Sequence, residues 1–251
     1  MKGRSFGERH FRVKGKGRSP VNIIPVAREL RKRYKDFGHY NRKNPLDELL
    51  LILCSVKRSE KVYLRAFKSL KQAFPTFEKL NQATIKELTK QIEWGGLQNQ
   101  KALSLKRITT AITGKFGKLS LAPLRKMTED ECEEFFCSLP GVGKKVARCV
   151  MLYSLGMKVF PVDTHCWRIS KRLGWIKVNS KHKFCTSRDM DILQDIVPPN
   201  LRLSLHVNMV SLGRVLCLAR SPKCHCCPIT RFCLKQGISE SRFTRIIREV
   251  I

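Results

Sequence analysis

The sequence predicts an all-α fold. Apolar residues recur at helical spacing in nearly every segment after residue 20, and helix start and stop signals punctuate those segments. Runs of alternating β-branched residues, the mark of strands, are absent.

The elements follow in order. Met1 to Pro20 alternate Lys and Arg with Gly and Ser and contain no apolar run, so residues 1–22 read as a flexible basic arm rather than a secretory signal. Glu8 and the interspersed glycines also make a poor amphipathic presequence. Arg28 to Arg42 is rich in Lys and Arg, yet Val26, Leu30 and Tyr34 keep a helical stripe, which predicts a helix with one wet face. Asn44-Pro45 is an N-cap followed by proline at the first helical position; Leu46, Leu49, Leu50, Leu53 and Cys54 then mark a core helix. Thr84 with Glu87, and Thr128 with Glu131, have capping-box spacing. Gly156 and Gly174 follow periodic stretches and read as C-terminal caps. No repeat of solenoid length is present.

Composition narrows the function. The 251 residues hold 50 Lys+Arg against 20 Asp+Glu, a formal charge of +30. A surplus this large repels itself unless a polyanion neutralises it, which points to nucleic acid. An anionic membrane is the second polyanion, but no basic amphipathic helix stands apart and no apolar run is long enough to span a bilayer. Eleven cysteines with no export signal predict an intracellular protein, without disulfides, whose cysteines form a metal or cluster site plus buried apolar thiols.

Two local patterns carry chemistry. Leu139-Pro140-Gly141-Val142-Gly143 lies between a helix over Thr128 to Ser138 and another over Lys144 to Leu155. Pro140 stops the first, Gly141 and Gly143 permit positive φ and close backbone approach, and the second begins at once. Its free N–H groups suit a phosphate held through backbone amides, although a lone G-x-G between helices also serves as a plain tight turn. Farther on, Cys217, Cys224, Cys227 and Cys233 have the spacing C-x6-C-x2-C-x5-C. Four such thiolates hold zinc or a [4Fe–4S] cluster; with only one close pair, the spacing favours the cluster. Cys226 is a competing thiol beside Cys227.

Leu139 to Leu173, LPGVGKKVARCVMLYSLGMKVFPVDTHCWRISKRL, resembles the helix–hairpin–helix DNA glycosylases, most closely the endonuclease III branch. The resemblance rests on LPGVG, a Lys two residues after its last glycine, VDTH, and the four cysteines in order. It extends more weakly to Asn44–Glu60 and Gly96–Ala102. It implies a two-domain α fold: a six-helix barrel over residues 40–157, and a cluster domain joining residues 23–39 to 158–251. It also implies a monomer that binds double-stranded DNA in the cleft between them. Lys145 would be the nucleophile that forms a Schiff base with C1′ of the sugar. Asp163 would stabilise the sugar cation and orient or deprotonate the amine. The bland alternatives are a phosphate contact for Lys145 and a helix cap for Asp163. Lys144 is expected to contact phosphate or to depress the Lys145 amine by repulsion. Leu139, Gly141, Val142 and Gly143 would hold the DNA backbone, and His165 would be structural or phosphate-side. Leu97 would be either the wedge that fills the gap left by a flipped base or a core leucine.

The shell that reads the lesion departs from the family. Lys57 stands where a Gln is usual, Cys137 replaces an acid, and Gln98 replaces a tyrosine. The expectation is therefore a glycosylase and abasic-site lyase whose default substrate is an oxidised pyrimidine. The alternatives are a divergent lesion range and a non-catalytic iron–sulfur DNA-binding protein.

Overall fold

The computed structural model describes residues 22–36, 41–56, 59–92, 98–177 and 184–238. Most of the basic arm, Lys57 and Leu97 lie outside the described residues. Among those described, all regular structure is helical: α1 (Ile23–Tyr34), α2 (Pro45–Ser55), α3 (Glu60–Ala73), α4 (Phe77–Gln82), α5 (Ile85–Gln91), α6 (Gln98–Phe116), α7 (Glu129–Ser138), α8 (Lys144–Ser154), α9 (Thr164–Leu173), α10 (Ser187–Ile196) and α11 (Arg202–Val215), with short 3-10 turns between some of them.

The caps explain the boundaries. Asn44 accepts hydrogen bonds from the N–H groups of Leu46 and Asp47 and so starts α2 at Pro45. At its other end the Lys101 ammonium donates to the carbonyls of Cys54 and Val56 (3.1 and 3.0 Å), satisfying groups that the helix leaves open. Both expected capping boxes form, at Thr84/Glu87 and Thr128/Glu131, and a third at Thr186/Asp189 starts α10. Gly174, with φ 77°, closes α9. The helix expected over the basic stretch ends earlier than its composition suggested. Lys35 and Asp36 both turn left-handed (φ 54° and 52°), and the Asp36 carboxylate is held by Asn208 and Ser204 of α11. The left-handed cap at Lys35, whose N–H donates to the Arg31 carbonyl, ends the helix after Tyr34.

Two apolar clusters form the interior. The first gathers Leu46 to Val159, drawing on α2 to α8, with Phe136, Ile108 and Leu88 fully buried. The second joins α1 to α9, α10 and α11 through Ile23, Leu30, Phe160, Ile169 and Leu212. Each buried side chain of this size contributes roughly 1.5–3 kcal/mol. The chain crosses from one cluster to the other between Val159 and Phe160. Long-range hydrogen bonds tie the second cluster together: Trp175 Nε1 donates to Asn22 (2.7 Å), and the Asn22 amide donates to the Phe232 carbonyl (3.1 Å).

Candidate active site

The turn between α7 and α8 sets the stage. The Leu139 and Val142 side chains are buried in the first cluster, so both anchor the turn from within and offer the outside only their backbone. Gly141 has φ 79°, which favours glycine. Gly143 corrects the expectation for both glycines: its backbone is extended (φ −96°, ψ 170°). A Cβ built there meets nothing within 4 Å, so its bare backbone faces open space. It caps α8 without a side-chain hydrogen bond and no acidic residue occupies the first turn, which leaves the positive end of the helix uncovered.

The two lysines that open α8 diverge, as neighbouring helical positions must. The Lys144 ammonium lies 2.8 Å from both carboxylate oxygens of Asp191 and 3.3 Å from Glu133. Arg148, one turn on and 3% exposed, grips the same two acids and also donates to the Met190 carbonyl. Lys144 is therefore held by two carboxylates, a departure from the expected phosphate contact. The expected depression of Lys145 by Lys144 is also absent: the Lys145 pKa is raised, not lowered.

Lys145 instead faces a cavity of about 130 Å³ between the two apolar clusters, with Asp163, Glu48, Cys149, Tyr153 and His206 on its walls. The Lys145 pKa is raised by the adjacent Cys149 sulfur, in the alkaline range where that thiol ionises, and by the Asp163 carboxylate; burial opposes them but is outweighed. Asp163 is both a cap and a wall residue: its Oδ1 accepts from the Cys166 N–H at 2.8 Å. Burial pushes its carboxyl up, but His206, the Cys166 N–H, His165 and Lys145 together bring it below the ordinary aspartate value. The site thus favours the carboxylate form of Asp163 and the ammonium form of Lys145 on the walls of one cavity.

His165 turns away from this cavity. Its Nδ1 lies 3.0 Å from the Arg168 guanidinium, and it packs so closely on α11 that a Cβ at Gly213 would sit 2.4 Å from Nδ1. Burial lowers its pKa, favouring the neutral ring.

Composition and motif spacing alone missed Glu48, Cys149, Tyr153 and His206. A signal was present for two of them: Lys145, Cys149 and Tyr153 recur every fourth residue on α8, a polar stripe on a largely buried helix.

The four spaced cysteines also converge. Cys217, Cys224, Cys227 and Cys233 line one recess with Arg172 and Pro222, and the Arg172 guanidinium donates to the Cys217 sulfur at 3.0 Å. Cys226 is exposed and directs its thiol to the Lys223 carbonyl. Among the described residues no group of three or more His, Cys, Asp or Glu is arranged to hold a metal ion. Cys54, Cys132, Cys149 and Cys166 are buried thiols, as expected from composition.

Comparison with known proteins places the chain in a family. Residues 49–190, which include the hairpin, Lys145 and Asp163, match the HhH-GPD superfamily of base excision DNA repair proteins. Endonuclease III of Thermotoga maritima is 28% identical over 211 residues, covering 84% of this chain and 92% of that protein. The DNA glycosylase/AP lyase ROS1 of Arabidopsis thaliana is 28% identical over 164 residues, or 60% of this chain and 12% of its own length. The chain spans 57% of one plant relative and about a tenth of several others. Among solved structures, an endonuclease III trapped as a covalent DNA intermediate superposes with a TM-score of 0.73 at 26% identity, covering 90% of this chain and 97% of that one. A non-covalent endonuclease III–DNA complex gives 0.72 at 25% identity. No helix among the described residues is long and apolar enough to cross a membrane. The chain belongs to the HhH-GPD superfamily of base excision DNA repair proteins.

Proposed function

We propose that this base excision repair protein is a DNA glycosylase with abasic-site lyase activity on double-stranded DNA, its default substrate an oxidised pyrimidine. One observation carries the reading: Lys145 and Asp163 share a cavity between the two clusters, immediately after a hairpin whose helix end is uncapped. The division into residues 40–157, and 23–39 with 158–251, is supported by the two separate apolar clusters.

The hairpin amides at Gly141 and Gly143 hold a phosphate, and the target nucleotide swings out of the duplex toward the cavity. The Lys145 amine attacks C1′, the base leaves, and the resulting iminium acidifies the C2′ proton, so that the 3′ phosphate departs by elimination. Asp163 remains a carboxylate throughout and stabilises positive charge on the sugar. In this reading Leu97 and Lys57 meet the gap and the opposite strand, while His165 buttresses the segment that presents Asp163.

Cys217, Cys224, Cys227 and Cys233 are the residues that would hold a [4Fe–4S] cluster. They fit it because the four cysteines line one recess and because Arg172 offers a charge-assisted donor to one of the sulfurs. When bound, the cluster would brace the loop that carries Lys223 and Arg231 without entering the reaction at Lys145.

The test is an abasic-site duplex treated with borohydride. The wild-type protein is expected to form a covalent adduct and nick the strand, and Lys145→Ala to do neither while still binding DNA. Base release from an oxidised-pyrimidine duplex without adduct formation would refute the lyase half of the reading.

A further inference from the structure

Lys145 must lose a proton before it can attack, and the site favours its ammonium. Asp163, the expected acceptor, is held low by His206, the Cys166 N–H and neighbouring charges, which makes it a good counter-charge but a weak base. The cavity holds a second carboxylate that no sequence motif announced. Glu48 of α2 is 2% exposed and lines the same space as Lys145, from the side of the first cluster, whereas Asp163 approaches from the second.

We propose that Glu48 is the proton acceptor for Lys145, and that Asp163 serves as the fixed negative charge. The proposal rests on the lyase reading above and divides its labour between two carboxylates.

The surroundings support the division. The Glu48 Oε2 accepts the Arg42 N–H at 2.6 Å, which fixes the carboxylate against the start of α2. Burial pushes Glu48 up to about 7, outweighing that hydrogen bond and the charges of Arg42 and Lys145. Two carboxylates in one cavity with acidities driven apart is the pattern expected of a base and an electrostatic partner. The other groups that face this cavity do not compete. From α8, the Cys149 thiol and Tyr153 hydroxyl are both pushed up by burial and stay protonated near neutrality. From α11, the His206 Nδ1 lies 2.9 Å from the Pro161 carbonyl and its charge acts on Asp163 rather than on Glu48 or Lys145, and Arg214 is paired with Glu60. Tyr63 lines the cavity from α3.

The step balances. A proton passes from Lys145 Nζ to a Glu48 oxygen, and the freed lone pair forms the Nζ–C1′ bond at the open-chain aldehyde of an abasic sugar. The carbonyl oxygen becomes a hydroxyl as a proton shifts to it from nitrogen. Glu48 then returns its proton to that hydroxyl, the C1′–O bond breaks, and water leaves the iminium.

Single-turnover borohydride trapping on abasic duplex, followed from acid to alkaline pH, tests this. The wild-type rate should rise through a limb near neutrality. Glu48→Gln should slow trapping at neutral pH by about 100-fold, as loss of a general base does, and should lose that limb. Asp163→Asn should slow trapping but keep the limb. Glu48→Asp should regain part of the rate with a displaced limb, and it carries the test if the glutamine variant fails to fold. Trapping by Glu48→Gln within two-fold of wild type with the limb in place would overturn the proposal. So would a limb that disappears with Asp163, or a Glu48→Asp profile identical to wild type. A wild-type protein that traps nothing, or a Lys145→Ala variant that still traps, refutes the lyase reading instead.

Discussion

Arg148 offers the sharpest stability prediction. It sits one turn beyond Lys144, 3% exposed. Its Nε and Nη2 reach the two Glu133 oxygens at 2.6 and 3.3 Å, Nη2 reaches Asp191 at 2.6 Å, and Nη1 donates to the Met190 carbonyl at 3.0 Å. The fork joins α7, α8 and α10. Removing one partner of a buried pair costs about 3–5 kcal/mol, because the other charge is stranded. Two features reduce that here. The Asp191 side chain is 47% exposed, so its contact is worth no more than a surface pair, and Lys144 remains to neutralise both acids. Arg148→Ala should therefore destabilise by about 2–3 kcal/mol. For a chain of this length that lowers the melting temperature by about 4–12 °C. Arg148→Lys, which keeps the charge but loses the fork, should fall between. Urea and thermal unfolding of the three proteins measure this. A loss below about 0.5 kcal/mol for the alanine variant would refute the view that this fork joins the hairpin helix to α10.

Other outcomes follow from single contacts. Gly213→Ala would place a methyl 2.4 Å from His165 Nδ1 and 2.8 Å from Cγ; thermal unfolding should show a loss of about 1–3 kcal/mol, with a parallel fall in abasic-site nicking because Asp163 lies two residues from His165. Glu48 reverses the usual acid behaviour. Burial raises its folded pKa from 4.5 to about 7, so the fold gains most below the unfolded value and loses that gain as pH rises through about 7. The change is roughly 3 kcal/mol, and urea unfolding of Glu48→Gln should lack this component of the pH dependence. Purified wild-type protein should be brown and contain iron, and Cys227→Ser should lose both; a colourless wild-type protein containing zinc would overturn the cluster assignment.

Much of this architecture was legible because its signals are local. Asn44-Pro45, Thr84/Glu87 and Thr128/Glu131 set helix starts through side chains three residues apart or fewer, and the structure uses all of them. Helical rotation required that only one of Lys144 and Lys145 face the cleft, and the register of the resemblance chose Lys145. What escaped depends on partners distant in sequence. Lys144 looked free until Glu133 and Asp191 approached from two other helices. Glu48 belongs to no motif; its buried carboxylate shares a cavity with Lys145 and Cys149 of α8 and His206 of α11, all distant in sequence. Gly143 looked like its neighbour Gly141, yet its backbone is extended and a Cβ there would meet nothing within 4 Å, so neither its φ nor its neighbours in the chain call for glycine.

The most direct measurement is the site of the covalent adduct. After borohydride reduction on abasic DNA and proteolysis, peptide mass mapping should find the sugar remnant on Lys145. An adduct on Lys144 or any other amine would contradict the account.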